Sequence, residues 1–346
     1  MKTCTYPFEY LYLDSFDGKV WSCPWMDKEY GLIGNMFTTP IMDIWHGEKV
    51  EKVRRMVAAG DFSCCRMAAC PFLQNNTLPD SSDPKVAAKL KVAESPRFIN
   101  LAHDYICNQS CETCRPHKFV PPAGYRDLML RTNEIIGPLL DKAEVISLSG
   151  HGDPFASPYM MRLLQNLRPQ SPSTIVQIET NGVLFTPKNW QKIAHLATST
   201  INVIITVNSF DEFTYNHLSR GGNYAQLMKN LEFVSELRKN GRIKQLMLAM
   251  VIQDRNFREM PSFVNTCLER YTCDKILLRP VYQWGTMAED VFWFKDVLNP
   301  LHPYHPEYLE VRDHPALTHP KVWHFGGRTL HPARPYPAPA PATAGE

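Results

Sequence analysis

The chain has 346 residues, which at roughly 150 per domain points to about two domains and excludes a small stapled scaffold. Lys and Arg number 37 against 35 Asp and Glu, a net charge of +2, with 21% charged and 44% hydrophobic residues. This excludes a strongly basic nucleic-acid surface and a disordered chain.

No window approaches the roughly 18 uncharged apolar residues of a membrane span. Glu9 and Asp14 stand where a secretory apolar stretch would be. A cytoplasmic protein is expected, with neither membrane nor nucleic acid as partner. In a reducing compartment its ten cysteines point to metal binding or redox chemistry rather than disulfides.

Residues 1–80 carry Cys4, Cys23, Cys64, Cys65 and Cys70. The apolar run over 8–13 and the turn pair Asp17-Gly18 predict a hairpin that sets Cys4 beside Cys23. A polar, proline-punctuated stretch follows, and residues 81–96 read as a linker.

Over 97–299, six strand-like runs alternate with five helix-like ones. Strict alternation predicts an α/β fold with right-handed parallel connections, a partial (βα)6 barrel. Runs of apolar residues without clean alternation predict strands covered on both faces. The chemistry is expected on the loops after the strands. Residues 300–333 are expected to wrap the barrel as irregular structure, and the Pro/Ala-rich 334–346 to form a disordered tail.

Cys107-Asn-Gln-Ser-Cys111-Glu-Thr-Cys114 directly follows the first of these strands. Ordinary 4Fe-4S clusters take four Cys ligands, so three thiolates on one loop leave one iron open to another ligand. The plain alternative is a Cys3His zinc site completed by His117.

This C-x3-C-x2-C loop after the first barrel strand resembles the radical S-adenosylmethionine (radical SAM) superfamily. Gly150-His151-Gly152-Asp153-Pro154 is similar to that family's Gly-Gly-Glu-Pro element, with His151 and Asp153 replacing a Gly and the Glu. The resemblance implies that Gly150, Gly152, Asp153 and Pro154 hold the methionyl amino group. It also implies ribose contacts at Glu179 and Asn181, further contacts at Asn208 and Ser209, and an Arg220 that grips the methionyl carboxylate through bidentate bonds. Thr113 stands where family members usually carry an aromatic residue.

The amino-terminal series around Cys4, Trp21-Ser22-Cys23-Pro24-Trp25 and Cys64-Cys65-Arg66-Met67-Ala68-Ala69-Cys70-Pro71 resembles a SPASM or twitch auxiliary-cluster domain. The resemblance implies ligands at Cys4, Cys23, Cys65 and Cys70, with Cys64 a spare thiol. Exchange of Cys64 with Cys65, a three-cysteine set without Cys4, and a zinc knuckle stay open. Cys267 and Cys273 read as small buried hydrophobes.

Two 4Fe-4S clusters and S-adenosylmethionine are thus the expected cofactors, with a flavodoxin or ferredoxin-type electron donor. The expected reaction is hydrogen abstraction from a small polar molecule such as a sugar or nucleoside, the auxiliary cluster exchanging an electron. Sulfur insertion, peptide modification and non-catalytic electron transfer are the alternatives. His103, Tyr105, His151, Arg279 and Tyr282 are the candidate catalytic residues, with Gln283 and Trp284 beside them, because all sit at strand ends on the cluster side.

Overall fold

The computed structural model describes every residue except 68, 284 and 325–346. Trp284 and the tail expected over 334–346 lie outside the described residues.

The amino-terminal unit is built on β1 (Tyr10–Leu13), β2 (Lys19–Trp21) and β3 (Leu32–Asn35), followed by α1 (Glu48–Ala58). β1 and β2 form the expected antiparallel hairpin. Gly18 at its turn has φ +81°, a region where a Cβ is penalised. The unit closes on itself at residue 80: Lys2 bridges Asp80, Thr3 N donates to Pro79 O at 3.1 Å, and Ser81 N donates to Met1 O at 2.8 Å.

Residues 81–96, expected as a linker, pack against the amino-terminal unit. They contain a helix at Pro84–Lys89, and Trp45 Nε1 donates to Ala93 O at 3.0 Å.

Six strands follow: β4 (Phe98–Leu101), β5 (Val145–Leu148), β6 (Ile175–Thr180), β7 (Thr200–Thr206), β8 (Gln245–Ile252) and β9 (Lys275–Pro280). Each is parallel to the next. The intervening helices are α2 (Tyr125–Leu140), α3 (Pro158–Asn166), α4 (Pro187–Ile193), α5 (Glu212–Leu218), α6 (Tyr224–Lys239) and α7 (Met260–Arg270). Their starts are legible in local chemistry. Ser157, Thr186, Asp211 and Asn223 accept from backbone N–H groups of the first turn, and Pro158 and Pro187 open two of the helices.

Two features extend the expected barrel. β1 pairs in parallel with β4, Leu13 opposite Leu101, so the amino-terminal hairpin continues the same sheet. The segment expected to wrap irregularly contains α8 (Glu289–Lys295), α9 (His305–Arg312) and β10 (Val322–His324), and β10 adds in parallel to β9. One apolar core runs from Leu11, Val20 and Trp45 through Ile99, Ile146, Ile178 and Leu248 to Leu317.

The strands are not equally covered on both faces. In β6, Val176, Ile178 and Thr180 are buried, while Ile175, Gln177 and Glu179 are half-buried. In β8, by contrast, Leu246 to Met250 are buried on both faces, and Ile204, Met247, Ala249 and Leu277 form a small apolar cluster of their own on the concave face.

Candidate active site

The loop of Cys107, Cys111 and Cys114 leaves β4 at the carboxyl end of the sheet. Asp104, buried behind it, accepts from Ile106 N at 3.0 Å and from Tyr125 Oη at 2.8 Å, and also bonds Ser157. The far side of the loop is held by the α5 end: Ser110 N donates to Arg220 O at 2.9 Å, and Glu112 N to Leu218 O at 3.0 Å. Gln109, also buried, donates to Tyr215 Oη at 3.0 Å, and Cys111 Sγ donates to Gln109 Oε1 at 3.3 Å.

Burial pushes the Cys107 thiol up to about 11, with the Asp153 charge adding to it. Burial likewise pushes Cys111 up to about 12, reinforced by the charges of Cys114 and Cys107. Thiols in this state are poor nucleophiles on their own, and a bound metal reverses the preference by stabilising the thiolate. Three such sulfurs on one loop are the donor set of a cluster with one iron not held by the chain. His117, the fourth donor of the zinc alternative, is exposed. Among the described residues no trio of Cys, His, Asp or Glu converges on a single ion; the three thiols share one loop and one buried neighbourhood.

The loop after β5 lies directly against the cysteine loop. A Cβ on Gly152 would stand 2.3 Å from Asp104 O and 2.8 Å from Ile106 O, and Gly150 has φ +99°. Only glycine allows this approach. Asp153 is 2% exposed, and its carboxylate accepts from Thr180 Oγ1 at 2.7 Å, Asn181 N at 2.9 Å and Phe155 N at 3.0 Å. Its side chain therefore ties the ends of β5 and β6 together. Asn181 reaches the cysteine loop, its Nδ2 2.9 Å from Asn108 Oδ1 and 3.7 Å from Cys107 Sγ.

His151 Nε2 lies 3.1 Å from Asp14 Oδ1, and its ring centroid is 4.5 Å from that of Tyr105. Tyr105 Oη donates to Asp14 O at 3.1 Å. Burial tends to raise the Asp14 carboxyl, but hydrogen bonds from His151 and Tyr12 outweigh it and hold the group below its ordinary value. Burial and the charges of Asp14 and Asp17 push Tyr105 up to about 12. Arg279 pairs with Glu179 across the concave face. Tyr282, after β9, meets Trp25 of the amino-terminal unit at 6.4 Å between ring centroids. That contact carries the auxiliary unit across the mouth of the barrel.

Several expected site residues are placed otherwise. His103 is 1% exposed, in a fully buried stretch with Ala102 and Asp104 just past the end of β4. Asn208 and Ser209 are buried in a turn. Asn208 has φ +67°, its Oδ1 accepts from Val251 N at 3.1 Å, and Ser209 bonds Glu259 and accepts from Asp211 N at 2.9 Å. Glu179, expected at a ribose, is in the Arg279 ion pair. Arg220 directs Nε to Ser110 O and Nη2 to Arg115 O, both at 2.9 Å, so this edge of the guanidinium braces the cysteine loop.

The five amino-terminal cysteines share one neighbourhood. Met26 bridges Cys65, Asp27 N donates to Cys64 O at 3.1 Å, and Cys23, Cys64, Val53 and Val57 form one apolar cluster that Cys4 and Cys65 border. Burial pushes Cys4 up to about 11, with Cys70 and Cys64 adding their charges. Burial also raises Cys23, followed by the charges of Cys4, Cys70 and Cys64. Cys64 Sγ and Cys65 Sγ lie 3.8 Å apart. Cys267 and Cys273 are buried at 0% and 2% exposure, far along the chain, as expected of small core residues.

Residues 102–266 match the sequence profile of the radical SAM superfamily, and residues 4–71 that of the SPASM iron-sulfur cluster-binding domain. The chain carries a radical SAM domain and a SPASM domain. A radical SAM domain carries a 4Fe-4S cluster and S-adenosylmethionine, and a SPASM domain carries additional iron-sulfur centres. Both cysteine sets described above offer the donors these groups need.

A GTP 3',8-cyclase of Limosilactobacillus fermentum is 25% identical over 177 residues, 47% of this chain and 50% of the relative. The chain thus spans about half the length of the curated relative it matches. Two solved structures of Streptococcus suis SuiB are also similar. The complex with S-adenosylmethionine has 17% identity, a TM-score of 0.38, and covers 69% of this chain and 47% of SuiB. The complex with the precursor peptide SuiA has 16% identity, a TM-score of 0.37, and covers 68% and 53%. No described helix is long and apolar enough to cross a membrane.

Two features escaped sequence reasoning. One is Asp14, whose role appears only when β1 joins β4. The other is a polar row on the concave face: Tyr12, Asn100, Ser147, Gln177, Asn202 and Gln245 stand in register across six strands. Local sequence carries no signal for either.

Proposed function

We propose that this protein binds S-adenosylmethionine at a cluster held by Cys107, Cys111 and Cys114 and removes a hydrogen atom from a small uncharged polar substrate. The substrate, of sugar or nucleoside character, binds on the concave face of the sheet. Residues 1–80 form the auxiliary unit, whose cluster on Cys4, Cys23, Cys65 and Cys70 exchanges an electron with the substrate. Residues 97–299 form the catalytic barrel, and a flavodoxin or ferredoxin-type protein supplies the first electron.

The polar row carries this reading. Asn100 Nδ2 donates to Tyr10 Oη at 2.9 Å, Ser149 Oγ to Asn100 Oδ1 at 2.9 Å, and Gln177 Nε2 to Ser147 Oγ at 3.3 Å. The buried Asn202 Oδ1 has no partner among the described residues. A buried acceptor without a donor is costly, and a substrate hydroxyl or amide on this face would satisfy it. Glu179 and Arg279 cancel each other's charge in the layer above. Neutral hydrogen-bonding groups in a row favour a hydroxyl-rich substrate over an anionic one.

When bound, the cluster supplies the electron that splits S-adenosylmethionine into methionine and a 5'-deoxyadenosyl radical, the agent of hydrogen abstraction. The chain's own part is positional. Gly150 and Gly152 bring backbone close to the cysteine loop, Asn181 contacts Cys107, and Arg220 braces the loop from outside. His151, oriented by Asp14, stands at the mouth within reach of a proton released by the substrate.

The test is an anaerobic assay with neutral sugars and nucleosides deuterated at carbon, read as deuterium in 5'-deoxyadenosine. Asn202→Leu and Gln177→Leu should raise KM about 5- to 150-fold, the range for a lost hydrogen bond that leaves a buried group unpaired. Cleavage of S-adenosylmethionine without substrate should be unchanged. Unchanged KM in both variants would remove the concave face as the binding site.

A further inference from the structure

Lys295, the last residue of α8, has a side chain only 6% exposed. An ammonium group withdrawn from water needs opposite charge nearby. Two carboxylates provide it: Glu112 Oε1 at 3.0 Å and Asp254 Oδ1, just past β8, at 3.5 Å. Glu112 lies inside the cysteine loop, between Cys111 and Cys114. His217 of α5 faces the same carboxylate, with Nε2 3.7 Å from Glu112 Oε2. The loop thus carries a fixed carboxylate between its second and third cysteines, and a buried cation from the carboxyl-terminal segment is set against it. No step of the proposed reaction uses this cation.

We propose that Lys295 is a positioning residue for the cysteine loop: it anchors Glu112 and offsets the negative charge that Glu112 and Asp254 place beside the cluster. The potential of an iron-sulfur cluster depends on local net charge and hydrogen bonding. Adding an electron to a cluster near two uncompensated carboxylates is harder than adding it when a buried ammonium stands among them. Lys295 therefore keeps the cluster reducible, and couples its order to the docking of α8. The inference rests on Cys107, Cys111 and Cys114 being the ligands of the cluster that binds S-adenosylmethionine.

The experiment is a redox titration of the reconstituted full-length protein, following the electron paramagnetic resonance signal that S-adenosylmethionine perturbs, with iron per chain measured alongside. Lys295→Met should shift the midpoint to more negative values and Glu112→Gln to more positive values. The double variant should fall between them, and Lys295→Arg, which keeps the charge, should match the wild type. A merely structural role predicts no such opposition of sign. Midpoints that stay fixed, or that move in the same direction in both single variants with iron retained, overturn the proposal. If Lys295→Met cannot hold iron, Glu112→Gln decides: a more positive midpoint supports the proposal and an unchanged one overturns it. If Cys107→Ala leaves the perturbed signal intact, the ligand assignment itself has failed, which is a different outcome from a failure of the Lys295 variants.

Discussion

His103 shows how burial can displace a residue from a site while giving it a measurable role. It is 1% exposed, its Nδ1 has no partner among the described residues, and burial holds its pKa at about 4 against an ordinary 6.5. The native imidazole is neutral, so as pH falls the unfolded chain takes up the proton first. Stability is therefore lost from pH 6.5 down to about 4, by roughly 3 kcal/mol at the lower end. Asp104 and Asp153, both raised by burial, act in the opposite direction, so the comparison is made against His103→Gln. Anaerobic denaturant midpoints should converge between the two proteins as pH falls from 7 to 5. Parallel loss in both would show that His103 titrates normally. At this scale the sequence showed residue types but not facing. Asn208, Ser209 and His103 are all at strand ends, as the alternation predicted, yet neighbouring segments bury them. Asp153 matched a binding motif by position, and its carboxylate ties β5 to β6.

The elements were the most legible level. Strands β4 to β9 and five of the helices between them follow from short apolar runs, capping residues and Pro at helix starts, all local signals; the short α5, a sixth helix, was not expected. The hairpin at Asp17-Gly18 was visible for the same reason. Its attachment to β4 was not, because pairing residues 10–13 with 98–101 leaves no local trace. The strand in the carboxyl-terminal segment, β10, is three residues long and pairs only with β9, too short for any periodicity. The hairpin turn gives a direct test. Gly18 and Gly124 both have positive φ, +81° and +79°, but a Cβ on Gly18 would lie 2.5 Å from the Phe37 ring, whereas Gly124 has open space around it. Ala at either position carries the backbone cost of about 1–2 kcal/mol, and only Gly18→Ala adds the clash. Anaerobic thermal denaturation should show the larger loss for Gly18→Ala, with iron lost from the auxiliary unit. Equal losses would mean that the turn has room to relax.

At the scale of the molecule, one sheet carries two cysteine clusters. The β1 hairpin makes the amino-terminal unit an extension of the barrel, and Trp25 meets Tyr282 across the mouth. The concave polar row lies on the face beneath that closure. The cysteine spacing disclosed the family, because three cysteines on one loop are a local pattern. The polar row and the Lys295–Glu112 contact each depend on residues far apart in the chain, and only folding brings them together. The central claim, that Cys107, Cys111 and Cys114 hold the cluster that cleaves S-adenosylmethionine, is tested by anaerobic reconstitution followed by dithionite and S-adenosylmethionine, with iron and 5'-deoxyadenosine quantified. The wild type should hold about eight irons per chain, as two cubanes require, and release 5'-deoxyadenosine. The variant with all three cysteines replaced by Ala should keep about four irons and release none. Zinc in place of iron, or undiminished 5'-deoxyadenosine from the triple variant, would contradict the account.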